Sequence, residues 1–137
     1  MKSEVNLDGL GREASRAGRR VAYPRCVDGS TMVALWPASE DEWEQNALGI
    51  WEPSLKTSVL IEPDAIDLIV CPCVAFDAAC NRLGMGAGYY DRYLPRCHNV
   101  AIVAAAFEAQ KIDAVCVDRW DRKMQAVFTE ASEYSSN

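Results

Sequence analysis

The chain has 137 residues, half of them hydrophobic and a quarter charged, with a formal net charge of −6 and a single histidine. That length suits one domain able to bury about two-thirds of the surface its unfolded chain exposes, and the balance of residues excludes a disordered chain. The acidic excess gives no electrostatic footprint for nucleic acid or an anionic membrane. No apolar run approaches the roughly 20 residues of a bilayer span, and the N-terminus opens into polar sequence rather than a secretory apolar core. We therefore expect a single domain over residues 1–137, cytoplasmic, without nucleic-acid or membrane partners.

In chain order, Leu7, Leu10, Ala14 and Ala17 recur at helical spacing, which predicts a surface helix over 6–20. Residues 21–27 and 31–36 read as two strands joined by a turn at Asp28, Gly29 and Ser30. The acidic residues of 40–44 predict a short helix or loop, and 49–53 an irregular stretch. Residues 66–74 form an almost unbroken apolar run of strand length, the pattern of a strand buried on both faces. A helical pattern resumes at 89–96, a second apolar strand is expected over 99–107, a short helix over 109–114 and a last strand over 126–130. Buried strands separated by helices imply an α/β fold with helices on either side of the sheet. In such sheets ligands bind beyond the carboxyl ends of the strands.

The six cysteines (Cys26, Cys71, Cys73, Cys80, Cys97 and Cys116) contain no C-x-x-C pair, and His98 is the only histidine. Reduced, mostly buried thiols are expected rather than a zinc site.

The segment richest in chemistry is Asn81-Arg82-Leu83-Gly84-Met85-Gly86-Ala87-Gly88-Tyr89-Tyr90-Asp91-Arg92. Its glycines are spaced neither as G-x-G-x-x-G nor as a P-loop. Glycine lets backbone amides approach a ligand and tolerates the positive φ that turns them toward one point. Arg82 and Arg92 can offer charge-assisted hydrogen bonds to phosphate, and Asp91 suits a Mg²⁺ ion bridging phosphates. The segment thus predicts a magnesium-nucleotide site, placed after the carboxyl end of the 66–74 strand. The alternative is a tight turn and helix entry with Asp91 and Arg92 solvated.

From Arg82 to Asp91 the chain closely resembles the 5-formyltetrahydrofolate cyclo-ligase (methenyltetrahydrofolate synthetase) family. Further pieces match in order: Glu4-Val5, Pro24-Arg25, Glu52-Pro53, Pro72 with Phe76-Asp77, and Thr129-Glu130. The resemblance implies a three-layer α/β sandwich with a mostly parallel central sheet, similar to ribose-5-phosphate isomerase and CoA-transferase domains. It implies ATP- and Mg²⁺-dependent conversion of 5-formyltetrahydrofolate to 5,10-methenyltetrahydrofolate with release of ADP and phosphate, by a monomer in its complete form. Position by position, Arg82, Leu83, Gly84, Met85, Gly86, Ala87, Gly88, Tyr89 and Tyr90 would cradle the nucleotide. Met85 to Tyr89 would also lie near the folate, Glu4 would contact it, and Asp91 and Asp121 would direct the metal. Phosphoryl transfer depends on positioning and charge stabilisation, so no activated protein nucleophile is implied and no catalytic residue is assigned.

The chain departs from the family pattern in places. Ala87 stands where some members carry lysine, and Cys73 where glycine is common. Family members begin with an additional segment holding a helix, basic nucleotide-contacting residues and a first strand, so the chain is expected to be N-terminally truncated relative to them. A non-catalytic folate- or nucleotide-binding remnant is the competing expectation, and a sugar-phosphate enzyme sharing the fold a weaker one. Trp36, Trp43, Trp51 and Trp120 are candidates to stack on a pterin, or to pack in the core or at its rim.

Overall fold

The computed structural model describes residues 5–84, 88–117 and 122–136. Glu4, Met85, Gly86, Ala87 and Asp121, all expected at the site, lie outside the described residues, as does Trp120. Helix α1 spans Asp8–Arg16 and buries none of its residues, as expected of a surface helix. It ends where Gly18, at φ +85°, turns the chain left-handed. The amides of Gly18 and Arg19 then bond back to Ser15 and Ala14, each at 3.0 Å, which satisfies carbonyls that the helix end would leave open.

Strands β1 (Tyr23–Cys26) and β2 (Met32–Trp36) pair antiparallel across the expected turn. Asp28 builds that turn: its Oδ1 accepts the amides of Ser30 and Thr31, both at 2.7 Å, the local bonding that makes aspartate a turn former. A short 3₁₀ turn at Glu40–Glu42 matches the acidic stretch. Residues 49–53 are not irregular, because β3 (Trp43–Gln45) and β4 (Trp51–Pro53) form an antiparallel hairpin. β5 (Val59–Ile61) completes a three-stranded antiparallel sheet in the order β1-β2-β5.

The second sheet is mixed. β6 (Leu68–Cys71) and β9 (Ala101–Ala105) run parallel, β9 and β10 (Ala126–Phe128) run parallel, and β11 (Glu133–Ser135) adds antiparallel, in the order β11-β10-β9-β6. β9 therefore takes a central position with alternating burial. Among the described residues β6 is an edge strand, and its Leu68 is 56 % exposed, which corrects the expectation of a strand buried on both faces. The apolar run of 66–74 reflects its far end: Cys71 and Cys73 enter the core, while Leu68 does not.

A two-residue pairing of β7 (Ala75–Phe76) with β8 (Arg82–Leu83) separates β6 from the glycine segment, which therefore follows β8 rather than β6. The turn between them wraps around Asp77, which is buried. Its carboxylate accepts the amides of Ala79, Asn81 and Val115 and the Asn81 side-chain amide, at 3.0 to 3.1 Å. Burial works to raise the Asp77 pKa, but the donors led by Val115 and Asn81 outweigh it and hold the carboxyl below its ordinary value. Helix α2 (Tyr89–Tyr93) and a 3₁₀ turn at Leu94–Arg96 fill the expected 89–96 helix, whereas another 3₁₀ turn at Glu108–Gln110 overlaps only the start of the short helix expected over 109–114.

The core gathers from both ends of the chain. Phe76 from β7, Leu94 after α2, Ile102 from β9, Met124 just before β10 and Val127 within it form one buried cluster with Met32 and Ala34 of β2. Burying side chains of this size contributes about 1.5–3 kcal/mol each. Four of the six thiols lie in this interior, and Cys71 is pushed up to about 12, chiefly by burial. It is a packed hydrophobe with no nucleophilic role at neutral pH. Among the described residues no helix is long and apolar enough to cross a membrane.

Candidate functional site

Strands β1, β2, β4 and β8, the residues that follow β6 and the start of α2 line a cleft of about 300 Å³. Pro24 and Cys26 of β1, Met32 of β2 and Glu52 of β4 form one side; Pro72 and Cys73, just beyond the carboxyl end of β6, form another. The remaining wall is Arg82, Leu83 and Gly84 together with Gly88, Tyr89, Tyr90 and Asp91. Of the expected loop residues that the structure describes, Arg82, Leu83, Gly84, Gly88, Tyr89, Tyr90 and Asp91 lie on this one cleft, while Arg92 does not line it. None of Trp36, Trp43 and Trp51 lines it; Trp43 instead packs edge-on against Tyr23, ring centroids 4.8 Å apart.

Arg82 is held firmly. Its side chain is only 7 % exposed, its Nε donates to the Pro72 carbonyl at 2.7 Å, and its guanidinium lies 5.3 Å from the Tyr90 ring centroid. One terminal nitrogen stands 3.5 Å from Asp91 Oδ1. Arg82 thus joins three parts of the wall: the end of β6, the glycine segment and α2. Its fork geometry permits this where a lysine's single ammonium would not. Asp91 keeps 60 % of its side chain exposed beside that arginine.

Gly88 is required by two separate constraints. Its φ of +74° disfavours any side chain, and an added Cβ would lie 2.7 Å from an Arg92 terminal nitrogen. Arg92 in turn donates from Nε to the Ser30 carbonyl at 2.7 Å and lies 5.5 Å from the Tyr89 ring centroid. The Tyr89 hydroxyl donates to the Asp28 carbonyl at 3.0 Å. The β1–β2 turn is thereby tied to α2, and the mouth of the cleft is set by backbone carbonyls rather than by side-chain packing alone. Burial, with Cys26 next in effect, raises the Tyr89 pKa, so the ring bears a neutral hydroxyl donor.

On the opposite wall Arg25 organises β4. Its Nη1 donates to the Pro53 carbonyl at 2.8 Å and to the Glu44 carboxylate, and its Nε is 3.8 Å from Glu52 Oε2. Glu52 lines the cleft as a carboxylate at ion-pair distance from Arg25. Glu52, Met32 and Cys26 carried no expected role; the Pro24-Arg25 and Glu52-Pro53 pairs were the available signal, because each proline fixes the backbone beside a residue whose charge faces its neighbour.

Chemically the cleft offers a buried arginine, glycine backbone, two tyrosine rings and two carboxylates. Tyrosine rings can stack on a flat ligand, and Arg82 with glycine amides can hold an anion. No group of three or more His, Cys, Asp or Glu side chains capable of holding a metal exists among the described residues. Mg²⁺ does not require one, since it commonly binds through one or two carboxylates plus substrate phosphates. Asp91, accessible at the cleft wall, fits that mode.

Comparison with known proteins adds to this geometry. A 5-formyltetrahydrofolate cyclo-ligase of Escherichia coli K12 is 32 % identical over 130 residues, covering 92 % of this chain and 71 % of the relative. One from Haemophilus influenzae is 39 % identical over 80 residues, covering 57 % of this chain and 43 % of its own length, so the chain spans less than half of that relative. The NMR structure of Aquifex aeolicus 5,10-methenyltetrahydrofolate synthetase superposes with a TM-score of 0.82 at 29 % identity, covering 99 % of this chain and 68 % of that one. The 5,10-methenyltetrahydrofolate synthetase of Mycoplasma pneumoniae superposes with a TM-score of 0.71 at 25 % identity, covering 93 % and 66 %. The likeness extends well beyond the glycine segment, for the sequence model of one family matches residues 1–130. With the cleft and every strand but β11 inside that match, the chain belongs to the 5-formyltetrahydrofolate cyclo-ligase family.

Proposed function

We propose that the cleft binds ATP and 5-formyltetrahydrofolate side by side and closes the folate ring to 5,10-methenyltetrahydrofolate, with ADP and phosphate as the other products. The observation that carries this reading is the convergence on one cleft of Arg82, Leu83, Gly84, Gly88, Tyr89, Tyr90 and Asp91, within a chain of this family. A formyl oxygen bound to carbon is a poor leaving group. Transfer of the γ-phosphoryl group onto it gives a good one, and the neighbouring folate nitrogen then attacks the same carbon and expels phosphate.

In this reading Arg82, Gly84 and Gly88 form part of the phosphate cradle, completed by Met85, Gly86 and Ala87. Tyr89 stacks at the folate, Glu52 accepts from the N–H edge of its pterin, and Glu4 contacts it from the N-terminal side. Asp91 and Asp121 would hold Mg²⁺, which supplies charge neutralisation to the transferring phosphoryl group. The protein contributes position and electrostatics rather than a covalent intermediate, which agrees with the inert buried thiols. We also read the mixed sheet as the centre of a three-layer sandwich of the ribose-5-phosphate isomerase type, supported by its parallel β6, β9 and β10. The working unit in this reading is a monomer.

The test is Asp91→Asn. Turnover is expected to fall at least about a hundredfold while folate affinity changes less than about threefold, the signature of an interaction used in the transition state. Equal loss of both would count against the metal role.

A further inference from the structure

A second hollow, of about 200 Å³, opens beside the cleft and shares Met32 and Tyr89 with it. Arg92 and Arg96 stand one helical turn apart along its wall, with Tyr93 between them. Arg92 is fixed by its Nε bond to the Ser30 carbonyl, and the Arg96 guanidinium lies 5.6 Å from the Tyr93 ring centroid. The Tyr93 side chain is buried, and its hydroxyl has no hydrogen-bond partner among the described residues. An unsatisfied buried donor of this kind is destabilising until something accepts from it. Burial first, then Cys97 and Glu62, push that hydroxyl up to about 12, so it remains a donor at neutral pH.

In a chain of net charge −6, a hollow walled by two arginines is a local reversal of sign. The acid nearest in the facing turn, Asp28, is occupied by the amides of Ser30 and Thr31. Tyr89, which the folate reading places against the substrate, forms the border between the two spaces. An extended ligand with a ring system in the cleft and an anionic end would pass Tyr89 and arrive between the arginines.

We propose that this hollow is an anion subsite that receives the glutamate carboxylates of the folate, with Arg96 as the receiving charge and Arg92, already bonded to Ser30, lining the wall beside it. This rests on the folate reading above. A nucleotide phosphate has related chemistry, and the experiment separates the two sources.

Arg96→Gln is compared with the wild-type chain by calorimetric titration with 5-formyltetrahydrofolate and with its glutamate-free pteroate, and by the KM for ATP. The urea midpoint serves as a check on folding. The wild type is expected to bind the glutamate-bearing ligand more tightly than the pteroate. Arg96→Gln should weaken the former about three- to fivefold, the scale of one solvent-exposed ion pair, and leave the pteroate and the ATP KM unchanged. Equal weakening of both folate forms, no weakening of either, or a rise confined to the ATP KM would each overturn the subsite. A wild-type chain that binds both forms equally also overturns it while sparing the folate reading. One that binds neither overturns the folate reading itself.

Discussion

Removing the Asp77 carboxylate should unfold the wall of the cleft from a position outside it. In Asp77→Ala the amides of Ala79, Asn81 and Val115 and the Asn81 side chain lose their shared acceptor. The bond to Val115 is buried, so its amide bears most of the desolvation penalty, about 1–3 kcal/mol; the others, partly buried, lose about 0.5–1 kcal/mol each and can regain water. The total is about 2.5–6 kcal/mol against a typical domain stability of about 5–15 kcal/mol. With a urea m-value of about 2 kcal/mol/M, the midpoint should fall by roughly 1.3–3 M.

Asp77→Asn sharpens the test. One oxygen would keep the Ala79 and Asn81 amides, but the new amide group would face two donors, Val115 N and Asn81 Nδ2. About half the loss or more is therefore expected despite the conserved shape. A midpoint shift below about 0.5 M in Asp77→Ala, or an Asn variant as stable as wild type, would refute the assignment of this carboxylate as the organiser of the β7–β8 turn.

The remaining predictions concern pH and the loop glycine. The carboxyls of Asp77, Asp28, Asp64 and Glu108 are all held below their ordinary values, by turn amides at Asp77 and Asp28, by His98 at Asp64 and by Tyr134 and Thr129 at Glu108. A depressed carboxyl contributes stability that is present above its unfolded pKa and is lost as pH falls through the folded one. The urea midpoint should thus stay level, as far as these groups decide it, from neutral pH to about pH 5 and fall steeply below pH 4. Gly88→Ala should cost about 1–2 kcal/mol through its left-handed φ and displace Arg92 from Ser30. Gly29→Ala, where an added Cβ meets nothing within 4 Å, serves as the control. Equal nucleotide affinity in the two variants would argue against the loop geometry.

Parts of this were legible from residue patterns. The Asp28-Gly29-Ser30 turn announced itself because aspartate before glycine and serine carries its own bonding scheme, and the 101–105 strand because five apolar residues ran unbroken. β3, β4, β5 and β11 were invisible, since three residues leave no room for a period-two alternation and their strand character comes from the partner. β6 misled in the opposite direction: its composition is that of a central strand, yet pairing with β9 alone leaves Leu68 in the open.

At the site, the residue types were legible and the division of labour was not. Arg82 looked like a phosphate ligand from its place beside three glycines. Its contacts with Pro72, Tyr90 and Asp91 make it first the brace of the cleft wall, a role set by residues distant in sequence. Glu52 showed only as half of a Glu-Pro pair, because its entry into the cleft depends on Arg25 reaching across from β1.

The central claim is tested most directly by incubating the chain with 5-formyltetrahydrofolate, ATP and Mg²⁺ and following the near-ultraviolet absorbance of 5,10-methenyltetrahydrofolate. The account predicts product that requires all three, appears with one ADP per folate closed, and is strongly reduced in Asp91→Asn. Tight binding of both ligands with no product, or product that forms without ATP, would contradict it.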